Sequence, residues 1–239
     1  AAVFALSLAL QLLVNHLQIT YYTALVCGLL VCFALYQAIK TKQFMSNFVK
    51  PSAFLIVGLI LAVGANSCNL YMTYDYGKDS MRGKSELTDT KNNKTSGLDK
   101  DYATAWSYGI AETLDLFVPN FMGGASMSKL DQNTETYKTC KKYGVSDLKN
   151  VTKSMPTYWG EQPITSGPVY IGAVVVFLFI FGLLYVEGIA KWWLAIATLF
   201  SILLAWGHNF MPLTDILLDH FSGYNKFLTI SMILVMAEF

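Results

Sequence analysis

Residues 19–39 read ITYYTALVCGLLVCFALYQAI, 21 consecutive positions without a charged side chain. A helix needs about 20 apolar residues to cross the hydrocarbon core of a bilayer, so this run is long enough to span alone. Its polar members are Thr, Tyr and Gln37, and Gln37 lies near one end. Working outward, a shorter apolar run covers residues 1–14. Another covers 51–66, opened by Pro51, a residue suited to a first helical turn, and is expected to continue through Cys68-Asn69-Leu70-Tyr71. Past a long polar stretch come runs at 168–186, 192–206 and from Tyr224 to the last residue. The expected fold is an all-α polytopic membrane protein of about six transmembrane helices, the first and last truncated, with a large irregular and α-helical insert. Residues 1–66 would hold three helices and 67–167 a loop domain. Residues 168–239 would hold three more helices, with an external re-entrant or interfacial segment at 207–225. The chain opens at Ala1 without Met and stops at Phe239 inside an apolar run, so it reads as an excerpt of a longer protein.

Composition supports that class. Hydrophobic residues make up 54% and charged residues 14% of the 239 positions, with a mean hydropathy of +0.42. Such values are too apolar for a soluble domain. The net charge of +1 creates no field that would favour nucleic acid. No basic n-region precedes the first apolar run, so none of the chain reads as a removable signal peptide.

Short loops set orientation through their Lys and Arg residues. The loop after residue 39 carries Lys40, Lys42 and Lys50 without an acid, and the turn near residue 190 carries Lys191 with Glu187. Alternating spans place both turns on one face, expected to be cytoplasmic. The insert 67–167, the turn at Asn15–Tyr22 and the connection at 208–226 then face outward, which in a bacterial inner membrane makes the insert periplasmic. Within it, 74–101 is expected to be loop with an exposed tip at 88–94. Residues 102–122 should pack toward the membrane, and 135–154 should form amphipathic helices, the second capped by Ser146. Asn93-Lys94-Thr95 and Asn150-Val151-Thr152 fit the glycosylation acceptor pattern, which has meaning only on a eukaryotic secretory route. Cys27 and Cys32 read as packing residues of a helix. Cys68 and Cys140 could pair in an oxidising periplasm or stay as thiols.

Polar clusters collect on the outward side. Asn15-His16-Leu17-Gln18 with Thr20-Tyr21-Tyr22 is either a capped turn in an aromatic belt or a site where His16, Gln18 and Tyr21 reach a polar substrate group. Arg82, Lys84 and Glu86 follow a helix end, where a guanidinium fork and an ammonium suit phosphate and a salt-bridged loop is the alternative. Trp106-Ser107-Tyr108-Gly109 with Glu112, and Pro119-Asn120-Phe121-Met122-Gly123-Gly124, combine aromatic faces with a carboxyl and an amide. Tyr158-Trp159-Gly160-Glu161-Gln162-Pro163 repeats that mixture. Sugar rings bind such surfaces because C–H groups pack on π-faces while hydroxyls need directed partners. Core packing of a small external domain would use the same residues. Trp206-Gly207-His208-Asn209 opens the last outward segment, which carries Asp215, Asp219 and His220. Their spacing is a weak metal-ligand pattern, equally suited to a solvated helix, so no metal site is assigned and a divalent ion stays an open alternative.

Read as strings, these runs resemble the YfhO family of bacterial membrane proteins, in particular members from Bacteroidetes. The matching stretches are Asn15-His16-x-Gln18-Ile19-Thr20-Tyr21-Tyr22, Arg82-Gly83-Lys84-Ser85-Glu86-Leu87-Thr88, Trp106-Ser107-Tyr108-Gly109, Pro119 to Gly124, Tyr158-Trp159-Gly160-x-Gln162-Pro163, and Tyr224-Asn225-Lys226-Phe227 with Ser231-Met232. Leu17 and Ser222 stand where relatives often have Pro, and Leu228 where a basic residue is common. The resemblance implies a GT-C glycosyltransferase, which moves sugar from a polyprenyl-phosphate donor on the external face. Its key acid usually lies in the first external loop, outside this excerpt, so the resemblance names no catalytic base here. Arg82, Lys84 and Lys226 are the candidates for the lipid phosphate. The aromatics around Trp106 and Trp159 are the candidates for sugar, and Glu112, Asn120, Tyr158, Gln162, His208 and Asn209 belong with His16, Gln18, Tyr21 and Glu86 to the expected substrate-binding set. Partners would be the bilayer, the lipid-linked sugar and the remaining transmembrane helices of the full-length protein. Two alternatives stand beside this reading. A lipid-linked sugar flippase would need ionisable residues at mid-bilayer depth, which the second, fourth and fifth runs lack. A non-catalytic scaffold for envelope assembly is the other.

Overall fold

The computed structural model describes residues 1–83 and 97–238. Lys84, Glu86, the tip at 88–94 and the Asn93 acceptor string lie outside the described residues. Among the described residues two helical stretches are long and apolar enough to cross a membrane, Leu17–Lys40 and Met45–Ala65. A third candidate is the pair Ala190–Ala205 and Gly207–His220, bent by 113° at a short break, if the two halves count as one span. Among the described residues there is no named β-strand, only the isolated bridges Gly123–Tyr158 and Ser128–Met155.

Helix α1 (Ala2–Leu13) turns through Asn15, at φ 59°, into α2 (Leu17–Lys40). A π-helical turn, Met45–Val49, leads into α3 (Lys50–Ala65). That wide turn falls just before Pro51, which has no N–H to give to the carbonyl four residues back. Helix α1 packs on α3, where Gly58 leaves no spare room: a Cβ there would sit 3.0 Å from the Phe4 ring. The opposite faces stay open, with Phe54, Ile56, Ile60 and Leu61 all more than half exposed. Apolar area of that extent is covered by lipid in a membrane-embedded chain. At Asn66 the backbone leaves helical geometry, and its amide donates to the carbonyls of Ala62 and, across to α1, Ala9, at 3.0 and 3.1 Å. Helix α4 (Ser67–Lys78) follows, so the helical path does continue past Cys68 and Tyr71, but through this break.

Among the described residues, 97–167 are irregular chain with short helices: α5 (Lys100–Ala103), a 3-10 stretch Ala111–Leu116, α6 (Glu135–Lys142) and α7 (Leu148–Val151). Thr134 caps α6 by accepting the Tyr137 N–H. The expected cap at Ser146 is corrected to Asp147, which enters α7 from left-handed geometry at φ 60°. All four cysteines are free thiols, so Cys68 and Cys140 do not pair in this structure.

Two later segments also differ from expectation. Helix α8 (Ala173–Tyr185) has 13 residues, fewer than the expected run of 168–186. Residues ahead of it are drawn away because the N–H groups of Ile171 and Gly172 both donate to the Leu116 carbonyl, and Gly172 sits at φ 113°. After α9 (Ala190–Ala205) and α10 (Met211–His220), the final apolar run does not form the expected helix from Tyr224. It makes 3-10 turns at Tyr224–Lys226 and Ile230–Leu234, then one turn of α11 (Val235–Glu238). Its apolar side chains serve a protein core instead of lipid. Tyr224, Ile233 and Leu234 join Tyr22 of α2, Tyr108 and Leu116 of the insert, Leu204 of α9 and Leu217 of α10 in one buried cluster. That cluster fastens the insert to the broken α9–α10 pair.

Candidate functional site

The break between α9 and α10 turns on Gly207, at φ +48°. A Cβ there would collide with the Ser107 hydroxyl, so both the backbone angle and the space require glycine. Ser107, fully buried, donates to the Thr104 carbonyl at 2.6 Å and accepts the His208 N–H at 2.8 Å. One residue on, the Tyr108 N–H donates to the Ala205 carbonyl at 2.7 Å. These bonds satisfy groups that a broken helix would otherwise leave orphaned. They also fix His208 and Asn209 at the edge of the insert.

Around that edge lies a connected polar network. Asn209 Nδ2 donates to the Tyr108 carbonyl at 3.1 Å and to Glu161 Oε2 at 2.7 Å. His208 Nδ1 stands 3.2 Å from the Thr104 carbonyl, and its Nε2 stands 3.7 Å from Glu161 Oε2. Beneath them Glu112 is 2% exposed. Its Oε2 accepts the Gly109 N–H at 2.6 Å, and its Oε1 accepts the Tyr158 hydroxyl and, at 3.4 Å, Gln162 Nε2. The Tyr158 oxygen in turn accepts the Gln162 N–H at 3.0 Å. Gly160 lies flush against this pair, since a Cβ would strike both the Tyr158 hydroxyl and Glu112 Oε1. Gln162 Oε1 accepts Ser231 Oγ at 3.3 Å, and the Ser231 N–H donates to the Trp106 carbonyl at 3.3 Å. Asp115, also buried, accepts the Met122 N–H at 3.2 Å.

A carboxyl group loses its hydration when buried, so each needs directed donors in return. Glu112 has three, which makes it a joint of the fold. The phenols beside it respond to the same setting. Burial first, then the Glu112 hydrogen bond, pushes the Tyr158 phenol well above its ordinary value of 10.0. Burial and the facing carboxyls of Asp115 and Glu112 do the same for Tyr108.

Five residues singled out in the sequence thus meet in one network through their side chains, Glu112, Tyr158, Gln162, His208 and Asn209, whereas Trp106 joins it through its backbone carbonyl alone and its indole donates to the Ile164 carbonyl at 3.2 Å. A second group forms where α2 begins. Gln18 donates to the Thr229 carbonyl at 2.7 Å and to the Tyr22 hydroxyl at 3.1 Å. Tyr21 reaches the Ser222 carbonyl at 3.3 Å and packs on Phe227 at 5.2 Å between ring centres. Lys226 Nζ donates to the Arg82 carbonyl at 2.5 Å, so these two cationic residues are neighbours through the Arg82 backbone. Burial lowers the Lys226 ammonium from its ordinary value. Residues 226–231 join the two groups, and five residues of chain cap their separation at roughly 18 Å.

Three candidates stand apart from both groups. His16 is exposed and caps α2 by accepting the Ile19 N–H at 3.4 Å, which is the capped-turn account of that cluster. Trp159 is 79% exposed, its indole lying over Gly123. Asn120 is an exposed turn residue at φ 57° whose carbonyl accepts the Gly123 N–H. Sequence reasoning quoted Ser107, Tyr108 and Glu161 only as members of longer runs, and passed over Asp115 and Thr104. Glu161 sits inside a quoted aromatic run, yet its partner Asn209 is 48 positions away, and no local spacing connects them. No family model, curated protein or solved structure matches this chain.

Proposed function

We propose that the chain is part of a membrane glycosyltransferase moving sugar from a polyprenyl-phosphate donor to an envelope glycan or lipid on the external face, as the YfhO-like motifs imply. The observation that carries this reading is the network of Glu112, Tyr158, Gln162, Glu161, His208 and Asn209, assembled where an apolar helix breaks. Carboxyl, amide and imidazole groups there offer the directed partners that sugar hydroxyls require, and the exposed Trp159 indole offers a π-face close by in sequence. Such a donor keeps its tail in lipid and its phosphate at headgroup level, so cations belong beside the membrane-side helices. Lys226 and Arg82, adjacent to α2 and α4, supply two, and Lys84 is the third candidate. Asp215 is ion-paired with Lys100, and among the described residues no group of three or more His, Cys, Asp or Glu that could hold a metal ion gathers.

In this reading the apolar helices α1, α2, α3, α8 and α9 lie in a bacterial inner membrane, residues 40–50 are cytoplasmic, 67–167 are periplasmic, and lipid together with helices of the full-length protein covers the open faces of α3 and α8. The test uses membranes from cells making the full-length protein, supplied with radiolabelled polyprenyl-phosphate hexoses. Label should move to envelope glycan or lipid, and Gln162→Ala should slow it about tenfold or more. No transfer above vector-only membranes would favour a scaffold, the role that the saturated, buried Glu112 would serve equally well.

A further inference from the structure

The turn that joins α2 to α3 sets three cations around an open apolar face. Helix α2 ends in a Schellman motif, in which the Gln43 N–H donates to the Ala38 carbonyl at 3.2 Å and the Lys42 N–H to the Ile39 carbonyl at 3.1 Å. Glycine usually takes the left-handed position of this motif, and here it is Lys42, at φ 57°. A lysine there bears a backbone strain that glycine would not. Side chains hold the next turn: Asn47 Nδ2 donates to Gln43 Oε1 at 2.9 Å, and Ser46 Oγ to Asn47 Oδ1 at 3.1 Å. Phe44 and Phe48 stack beside them, 5.6 Å between ring centres. Phe44 is 45% and Met45 63% exposed. Lys40, Lys42 and Lys50 flank this face, all exposed. Lys40 lies back along α2, its Nζ 6.0 Å from the centre of the Tyr36 ring. Among the described residues none of the three lysines forms an ion pair. The first acid in the chain is Asp75, beyond the far end of α3, and Glu187 between α8 and α9 is offset by Lys191.

Both flanking helical stretches are long and apolar enough to cross a bilayer, which puts their shared turn at headgroup depth. At that depth a lysine keeps its stem among apolar groups while its ammonium meets phosphate. A zwitterionic headgroup brings its own cation, so its net attraction to the lysines is small. A headgroup whose only charge is the phosphate gains from each of them. We infer that residues 40–50 bind an anionic phospholipid of the leaflet around them. Its phosphate lies on Lys40, Lys42 and Lys50, and its acyl chains cover Phe44, Met45 and Phe48. The site needs only the α2 and α3 spans and holds whether or not the protein transfers sugar.

The test titrates the full-length protein, in a neutral detergent, with dioleoyl phosphatidylglycerol or dioleoyl phosphatidylcholine and counts bound lipids by native mass spectrometry. The first phosphatidylglycerol should bind about tenfold tighter than the first phosphatidylcholine, or more. Lys40→Gln, Lys42→Gln and Lys50→Gln should each weaken phosphatidylglycerol about fivefold and leave phosphatidylcholine unchanged. Lys42→Gly separates lipid binding from folding. It relieves the left-handed angle, so the melting temperature should hold or rise while phosphatidylglycerol affinity still drops about fivefold. Met45→Ser should weaken both lipids, and glycerophosphoglycerol, the same headgroup without chains, should not compete at equal concentration. Removing three cations from α6, with Lys138→Gln, Lys141→Gln and Lys142→Gln together, should keep the preference. Equal affinity of the wild type for the two lipids, or lysine variants within about twofold of wild type, would overturn the inference. So would an equal loss in the α6 variant, which makes the effect one of overall charge, or competition by the chain-free headgroup, which makes the site one for a soluble anion.

Discussion

Tyr158 ties three things together, because its hydroxyl donates to the buried Glu112, accepts from the Gln162 backbone, and presses on Gly160. Its ionisation would remove the donor and set a phenolate against a carboxyl. The sign of the pH effect follows. The folded phenols of Tyr158 and Tyr108 keep their protons above the ordinary value of 10.0, whereas unfolded tyrosines release theirs there. Stability from this source is fully present below about pH 10 and falls as pH climbs beyond it. Thermal unfolding in detergent should show a steeper alkaline decline in wild type than in Tyr158→Phe; equal slopes would contradict the assignment. The residue types of this site were legible in the sequence, since aromatics beside Glu and Gln stand out in an apolar chain. Their pairing was not. Glu112 meets Gln162 across 50 positions of irregular insert, and no periodicity carries information over that gap.

At the scale of elements, an apolar run announces burial without saying in what. Residues 19–39 and the final run from Tyr224 look alike as strings, yet one is a helix with open faces and the other is turns packed in a core. The difference comes from partners: Gln18 and Trp106 engage the backbone at Thr229 and Ser231 and hold it in a path that a continuous helix cannot follow. Likewise the break after α9 was readable only as a short polar string, because its glycine acquires meaning from Ser107, a hundred positions earlier. Gly207→Ala should therefore cost about 2 kcal/mol or more, from a disfavoured positive φ and a collision with that hydroxyl. Gly182→Ala in α8, where a Cβ meets nothing within 4 Å, is the matched control and should be neutral or stabilising. Melting temperatures of the two variants, measured side by side, check the difference.

For the whole molecule, orientation is the property that the Lys residues of the short loops govern. With native cysteines replaced, single cysteines at Lys42 and Lys138 should differ in reaction with an impermeant maleimide added outside cells, the second labelling and the first staying protected. The opposite pattern would invert the topology and place the candidate network in the cytoplasm. The bond from Gln18 to Thr229 joins positions 211 apart, and this long closure has a consequence in time. A ribosome adds about 5–20 residues each second, so α2 waits roughly 10–40 s for the segment that covers Tyr21 and Tyr22. During that interval the network also lacks Ser231, and the group at the start of α2 lacks Lys226. Nascent chains that have not yet reached Ser231 therefore display unfinished polar surfaces beside their apolar helices, and insertion chaperones and membrane proteases would meet the protein in that state first.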